Sequence, residues 1–212
     1  LQARRPTVEK PKEEEDITAP APSVSNVVRE FYLKEIEQHG LNPKGSVPDA
    51  YIREREEEAI LGALGDISAW MANVEIHEAG CGSGLLLDAL HAAGYRNVCA
   101  FDALPEFVKL ARSRRLPYHI WRSDVRCIQG GQYDDGSPIC AMLKGDSFDV
   151  VISQRVVINV LDQEGQQQAF RELLRMVRPG GYLILVEAFA DAWRNLNEAR
   201  AEFGLSPHPM AK

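Results

Sequence analysis

Three glycines at alternate positions, Gly80, Gly82 and Gly84, stand in "HEAGCGSGLLLDAL" between an apolar run and a leucine-rich run. Glycine loses more conformational freedom on folding than any other residue, so this order suits a place where the backbone approaches something bulky or takes positive φ more than once. A helix starting near Gly84 would add free N–H groups and a partial positive charge. Acids fall in register with this loop. Glu78 precedes the glycines, Asp102 ends the next apolar run and Asp124 follows the one after it. A carboxylate at the second place can accept hydrogen bonds from both hydroxyls of a ribose, and one at the third can meet an adenine amino group. Each alone is a strand-end acid that solvent would satisfy. Together they outline a nucleoside-shaped ligand.

The hydrophobic pattern supplies the elements that must position these groups. "VEIHEAG", "NVCAFDA", "PYHIWRSDV", "FDVVISQ" and "GYLILVEAF" are short β-type runs, separated by helical stretches near 84–93, 105–114, 163–177 and 191–203. Strands alternating with helices predict an α/β, doubly wound, mainly parallel sheet with a Rossmann-like course. In such a sheet ligands bind outside the carboxyl ends of the strands, where the loop after the first strand lies. Two helices come earlier: "SNVVREFYLKEIEQHG", stopped by Gly40, and a second over about 49–65. Residues 1–24 combine the charge run "EKPKEEED" with a Pro/Ala tract, the composition of a disordered leader or linker. The expected organisation is that leader, N-terminal helices over 25–66 covering the ligand site, and a core over 67–212.

A chain of 212 residues with 45% hydrophobic and 26% charged residues has the makings of one globular domain with a sizeable core. Its net charge of −7 argues against a nucleic-acid or anionic-membrane partner, since either would want a basic face. No apolar run approaches the roughly 20 residues of a membrane span, and the N-terminus lacks the apolar run of a secretory signal, so a cytoplasmic location is expected. Cys81, Cys99, Cys127 and Cys140 form no C-x-x-C pair, which points to reduced thiols and not to zinc or disulfides.

Two nucleoside classes compete for the site. A nicotinamide dinucleotide wants G-x-G-x-x-G, and the place of the third glycine is held by Leu85. The observed spacing is G-x-G-x-G behind an acid, and an acid there suits a ligand with an ammonium and a sulfonium, as in S-adenosylmethionine. With these motifs the chain resembles the class I S-adenosylmethionine-dependent methyltransferases. The resemblance runs from about Arg53 to Gly204, on "HEAGCGSG", "FDA", "RSDV", "FDVVISQRVVINVLD" and "LLRMVRPGGYLILVEA" in order. It implies that Gly80 and Gly82 lie under the methionine part, that Asp102 holds the ribose, and that Asp124 with the Val125 amide reads the adenine. The implied cofactor-binding set is Arg53, Glu78, Gly80, Cys81, Gly82, Asp102, Ala103, Asp124, Val125 and Ser153. One departure concerns the acceptor: where members that methylate nucleic-acid bases or glutamine often carry an Asn/Asp-Pro-Pro-aromatic turn, this chain has Ser153-Gln154-Arg155.

On the helix over 49–65, Ile52, Ala59, Ile60, Ala63 and Leu64 share a stripe that also contains Arg53 and Glu56. Arg53 there has two readings: a rim ion pair with Glu56 or Glu57, or a fork for the carboxylate of the cofactor's methionine end. Methyl transfer is an in-line displacement that needs mainly positioning. Gln154 and Arg155 are the candidate substrate-side groups, with Asn159 one turn further. His77 and His119 fall within strands, as core or supporting residues; His39 and His91 fall on helices, where solvent is the default. The expected function is methyl transfer to a small-molecule acceptor, and the alternative is a methyltransferase-like module that binds without catalysis. The chain starts with Leu1 and ends eight residues after the last helix, as expected of a piece of a longer protein whose sheet is truncated after the fifth strand. That apolar fifth strand would be an edge, covered by a missing segment or by a second copy.

Overall fold

The computed structural model describes residues 24–40, 42, 50–132 and 145–208. The leader up to residue 23, Asp49 of the expected second helix, Cys140 and the last four residues lie outside them.

Among the described residues six strands form one sheet: β1 (Ile76–Ala79), β2 (Val98–Asp102), β3 (His119–Asp124), β4 (Cys127–Gln132), β5 (Phe148–Gln154) and β6 (Val177–Val186), in the order β4-β3-β2-β1-β5-β6. Neighbours run parallel except β3 and β4, which are antiparallel with an irregularity between Arg122 and Asp124. With β1 between β2 and β5, strand order reverses there, and the crevice opens at the carboxyl ends of these three strands.

Among the described residues six α-helices accompany the sheet: α1 (Asn26–His39), α2 (Ala50–Ser68), α3 (Leu85–Ala92), α4 (Pro105–Ser113), α5 (Gln163–Met176) and α6 (Ala190–Glu202). Period-two alternation along the strands splits the core between the two faces. On one face Ile76, Ala100, Ile120 and Ile152 pack with Ile60 and Leu64 of α2, Leu87 and Leu90 of α3, and Val108 of α4. On the other, Phe101, Trp121 and Val151 meet Ala169, Leu173 and Met176 of α5. Each large aliphatic side chain so buried contributes about 1.5 to 3 kcal/mol.

The doubly wound, mainly parallel architecture is the one expected, with corrections in detail. The sequence pattern showed five strands; β4 is a sixth, and its Ile128 is fully buried and donates its N–H to Glu172 of α5 at 3.1 Å. The stripe on α2 starts later than expected. Ile52 is 43% exposed and Ala59 is exposed, while the buried face runs Ile60, Leu64, Ile67 as the helix continues to Ser68. His119, expected inside, opens β3 on the surface; His91 and His39, expected in solvent, are half-buried, His91 edge-on to Tyr118 and His39 3.9 Å from Glu35. His77 is a core residue, stacked on Phe148 and Trp121 with ring centres 4.7 and 5.5 Å away. Burial pushes its imidazole down to about 3. Between that value and the ordinary 6.5 of the unfolded chain the unfolded state binds more protons, so His77 makes stability rise with pH across the window.

Cys81, Cys99 and Cys127 are free thiols. No described helix is long and apolar enough to cross a membrane. Strand β6 is an edge of the described sheet, where exposed Tyr182 packs edge-on against Trp70 of the segment after α2, ring centres 6.0 Å apart.

Candidate functional site

From Ala79 at the end of β1 the chain turns through Gly80 to Gly84, the residue that caps α3. All three glycines take positive φ, +69°, +52° and +83°. That region favours glycine because a side chain there crowds its own carbonyl. Each also has its own surroundings. A Cβ on Gly80 would overlap Val156, and one on Gly84 would lie 3.0 Å from Arg114 Cδ. Arg114 itself donates to the Ser83 carbonyl and to Asp88, bracing the loop. Gly82 is different: a Cβ there would meet no protein atom within 4 Å, so this part of the loop opens onto free space.

Around the loop stand the acids. Glu78 is 3% exposed and its Oε2 has no hydrogen-bond partner. Burial, with the nearby Asp102 adding to it, pushes its carboxyl up to about 8, so it is neutral at pH 7. Asp102 accepts from the Gly82 and Leu104 N–H groups, both at 2.9 Å. Burial raises it to about 6, and these backbone donors hold it below what burial alone would give. Asp124 faces Arg126, which reaches Oδ1 through its backbone N–H and Nε, both at 2.9 Å, and Oδ2 through Nη2 at 2.8 Å.

The opposite side of the crevice is the turn after β5, where Arg155 has φ +57°. Its guanidinium grips Glu56 of α2 from Nε at 3.1 Å and Nη2 at 2.5 Å, and Gln154 donates to the same carboxylate at 2.9 Å. Asn159 donates to the Tyr32 hydroxyl of α1 at 3.0 Å. Glu187, just past β6, accepts from the N–H groups of Val156, Val157 and Ile158 at 2.9, 2.9 and 3.2 Å, and from Ser153 Oγ at 3.1 Å.

These walls enclose a cleft of about 220 Å³. Of the residues expected from sequence, Arg53, Glu78, Gly80, Cys81, Gly82, Asp102, Ala103, Asp124, Val125, Gln154 and Arg155 line it. Ser153 does not: it is fully buried, its hydroxyl turned to Glu187, because strand alternation points it away from the crevice that Gln154 borders. Arg53 lines the cleft and also has Glu57 at 3.6 Å, so its rim partner is Glu57; Glu56 serves Arg155 instead. Missed from sequence were Val24 and Ser25 just before α1, Val28 and Tyr32 within it, and Phe107, Arg126 and Leu161. Val28 had a signal, as one of the apolar positions of α1; the others belong to loops or to contacts distant in sequence. Among the described residues no group of three metal-ligating side chains occurs.

Residues 77–185 match the family model described as "Methyltransferase domain". No curated protein matches the sequence. The fold is similar to that of a Pyrococcus horikoshii OT3 protein, with TM-score 0.53 and 19% identity over 80% of this chain and 71% of that one. It is also similar to Haemonchus contortus phosphoethanolamine N-methyltransferase 1, solved with phosphoethanolamine and S-adenosylhomocysteine: TM-score 0.59, 16% identity, 78% of this chain and 32% of that one. A SAM-dependent methyltransferase from Methanosarcina mazei matches at 25% identity and TM-score 0.48, over 65% of this chain and 63% of its own length. The chain thus spans about a third of the Haemonchus protein and less than two thirds of the Methanosarcina one.

Proposed function

The chain belongs to the methyltransferase domain family, and from that premise we propose that it moves a methyl group from S-adenosylmethionine to a small-molecule acceptor in the cleft. The observation that carries this reading is Glu78, a buried carboxyl with an unpartnered oxygen beside the open space over Gly82. A buried polar atom without a partner is costly. An ammonium group lying there would supply both the missing hydrogen bond and a compensating charge. Asp102 and Asp124 line the same cleft, and on this reading they take the ribose and the adenine. The helices α1 and α2 contribute walls to the cleft, which suits a small acceptor better than a polymer.

When bound, the cofactor supplies a methyl group on a positively charged sulfur. The chain's part is to hold it: the glycine loop admits it against the backbone, Asp102 takes the ribose hydroxyls and Glu78 its ammonium. Calorimetric titration with S-adenosylmethionine and S-adenosylhomocysteine tests this reading, and no binding of either would refute it. Binding of both without product formation across an acceptor panel would favour a module that binds and does not catalyse.

Arg53 gives a separate expectation. In Arg53→Met the apolar stem stays and the fork goes, so cofactor affinity should fall about tenfold, roughly 1.4 kcal/mol, if the guanidinium meets the cofactor carboxylate. The pair with Glu57 is partly exposed, so its loss should barely move the melting temperature. A sharp drop in melting with affinity unchanged would mean that Arg53 serves only Glu57.

Glu78 makes binding depend on pH. With its carboxyl at about 8 in the free protein, roughly nine-tenths of it is protonated at pH 7. An ammonium ligand ionises it, so binding at pH 7 should release close to one proton, and affinity should rise as pH climbs toward about 8, above which the ligand's own amino group loses its proton and the gain ends. Without ligand the sign is opposite: the folded state holds the proton between 4.5 and about 8, and Glu78 makes stability fall as pH rises through that window. Calorimetry in buffers of different ionisation enthalpy counts the proton. Glu78→Gln should abolish its release.

A further inference from the structure

Asp124 ends β3 and pairs with Cys127 at the start of β4, so Val125 and Arg126 form the corner of a hairpin. Arg126 does not reach out from that corner but folds back on the carboxylate. Its backbone N–H and Nε donate to Oδ1, both at 2.9 Å, and Nη2 donates to Oδ2 at 2.8 Å. Both residues line the cleft, with side chains only 9% and 18% exposed. Resting on the reading of this cleft as an S-adenosylmethionine site, we propose that Arg126 sets its base specificity: by pinning Asp124 it makes the cleft take a 6-aminopurine and refuse a 6-oxopurine.

Strand order gives the base its place. Glu78, Asp102 and Asp124 lie at the carboxyl ends of β1, β2 and β3, three neighbouring parallel strands, each about 4.8 Å from the next. With the ammonium at Glu78 and the ribose at Asp102, the base of the ligand continues along the same row to β3. Val125 and Leu104, one and two residues past the second and first of these aspartates in space, line the cleft as well and offer apolar surface to a flat ring.

Adenine and hypoxanthine differ along one edge. Adenine shows an amino donor at C6 beside a ring nitrogen that accepts; hypoxanthine shows an oxygen that accepts beside a ring N–H that donates. A carboxylate free to turn serves either, by moving from the amino group to the neighbouring ring N–H. Three N–H groups on its two oxygens oppose that move, because bonds between charged groups are about twice as strong as neutral ones. The hydrogen bond to Asp124, with the charges of Asp124 and Asp162 added and burial working against them, pushes the guanidinium above its ordinary value. The fork therefore holds at any working pH. A pinned carboxylate is an acceptor only, and facing the oxygen of a 6-oxopurine it meets a second acceptor. A site built round a substrate N–H rejects the analogue lacking it far more strongly than shape alone can.

The test is calorimetry on the whole chain with S-adenosylhomocysteine and with S-inosylhomocysteine, which carries an oxygen in place of the amino group. The parent chain should favour the adenine ligand at least about a hundredfold. In Arg126→Met that ratio should narrow at least about tenfold, chiefly because the inosine ligand gains. Arg126→Lys, which keeps the charge without the fork, should fall between the two. In an Asp124→Asn background, Arg126→Met should leave the ratio unchanged, since the arginine acts through that carboxylate. A role confined to bracing the hairpin would weaken both ligands by the same factor. That result, or a parent chain that binds both ligands alike, would overturn the proposal while leaving the cofactor reading intact. A parent chain that binds neither would overturn the cofactor reading and this inference with it.

Discussion

Gly82→Val should leave a folded protein that has lost at least about a hundredfold in affinity for S-adenosylmethionine, roughly 2.7 kcal/mol. Two effects combine. At φ +52° a branched side chain is strained, which costs on the order of 1 to 3 kcal/mol of fold stability. That is tolerable against a total of about 5 to 15 kcal/mol. The larger effect is steric and falls on the ligand, because the Cβ position of Gly82 touches no protein atom and projects into the cleft. Gly80→Ala is the informative contrast. Its Cβ would press on Val156, so stability and binding should fall together. Calorimetric affinity measured beside thermal unfolding separates the two, and a Gly82→Val chain that binds normally would remove the glycine loop from the site.

Glu187→Ala should be the most destabilising single change of a charged side chain near the cleft. One carboxylate accepts from three successive backbone N–H groups and a hydroxyl, in a turn where Val157 is 4% exposed. Stranding each of the three backbone donors costs about 1 to 3 kcal/mol. Because water can reach part of the turn, the low end applies, about 3 kcal/mol in all. In a domain of this size that is a drop in melting temperature of about 6 to 12 °C. Glu187→Gln keeps one acceptor oxygen and should lose less than half as much. A melting temperature unchanged in Glu187→Ala would mean that solvent satisfies the turn.

What the sequence made legible were features local in the chain. The glycine triplet, the strand-end acids and the alternation of strands with helices each span a few residues, so pattern and spacing suffice to place them. Strand β4 escaped because Gly130-Gly131 within it resembles a turn, and because its pairing with β3 depends on an irregularity at Arg122 and Asp124. Ser153 was misplaced for a reason of parity: one step along a strand reverses the face, and only the register decides which of Ser153 and Gln154 meets the crevice. The links from Tyr32 to Asn159 and from Glu56 to Arg155 join residues 127 and 99 apart. Side chains that meet across such distances leave no periodic trace. The same holds for Glu187, whose role exists only once β5 and β6 lie side by side.

The stack around His77 gives the molecule a built-in optical probe. Trp121 is 2% exposed and lies 6.2 Å, ring to ring, from Phe101, which borders the cleft, whereas Trp70 is 62% exposed. Emission from Trp121 therefore falls on the blue side of the spectrum and is shielded from iodide, while Trp70 emits further to the red and is quenched. With the half-buried Trp193 of α6 replaced by phenylalanine, iodide would isolate the light of one indole, one ring away from whatever lies on the glycine loop.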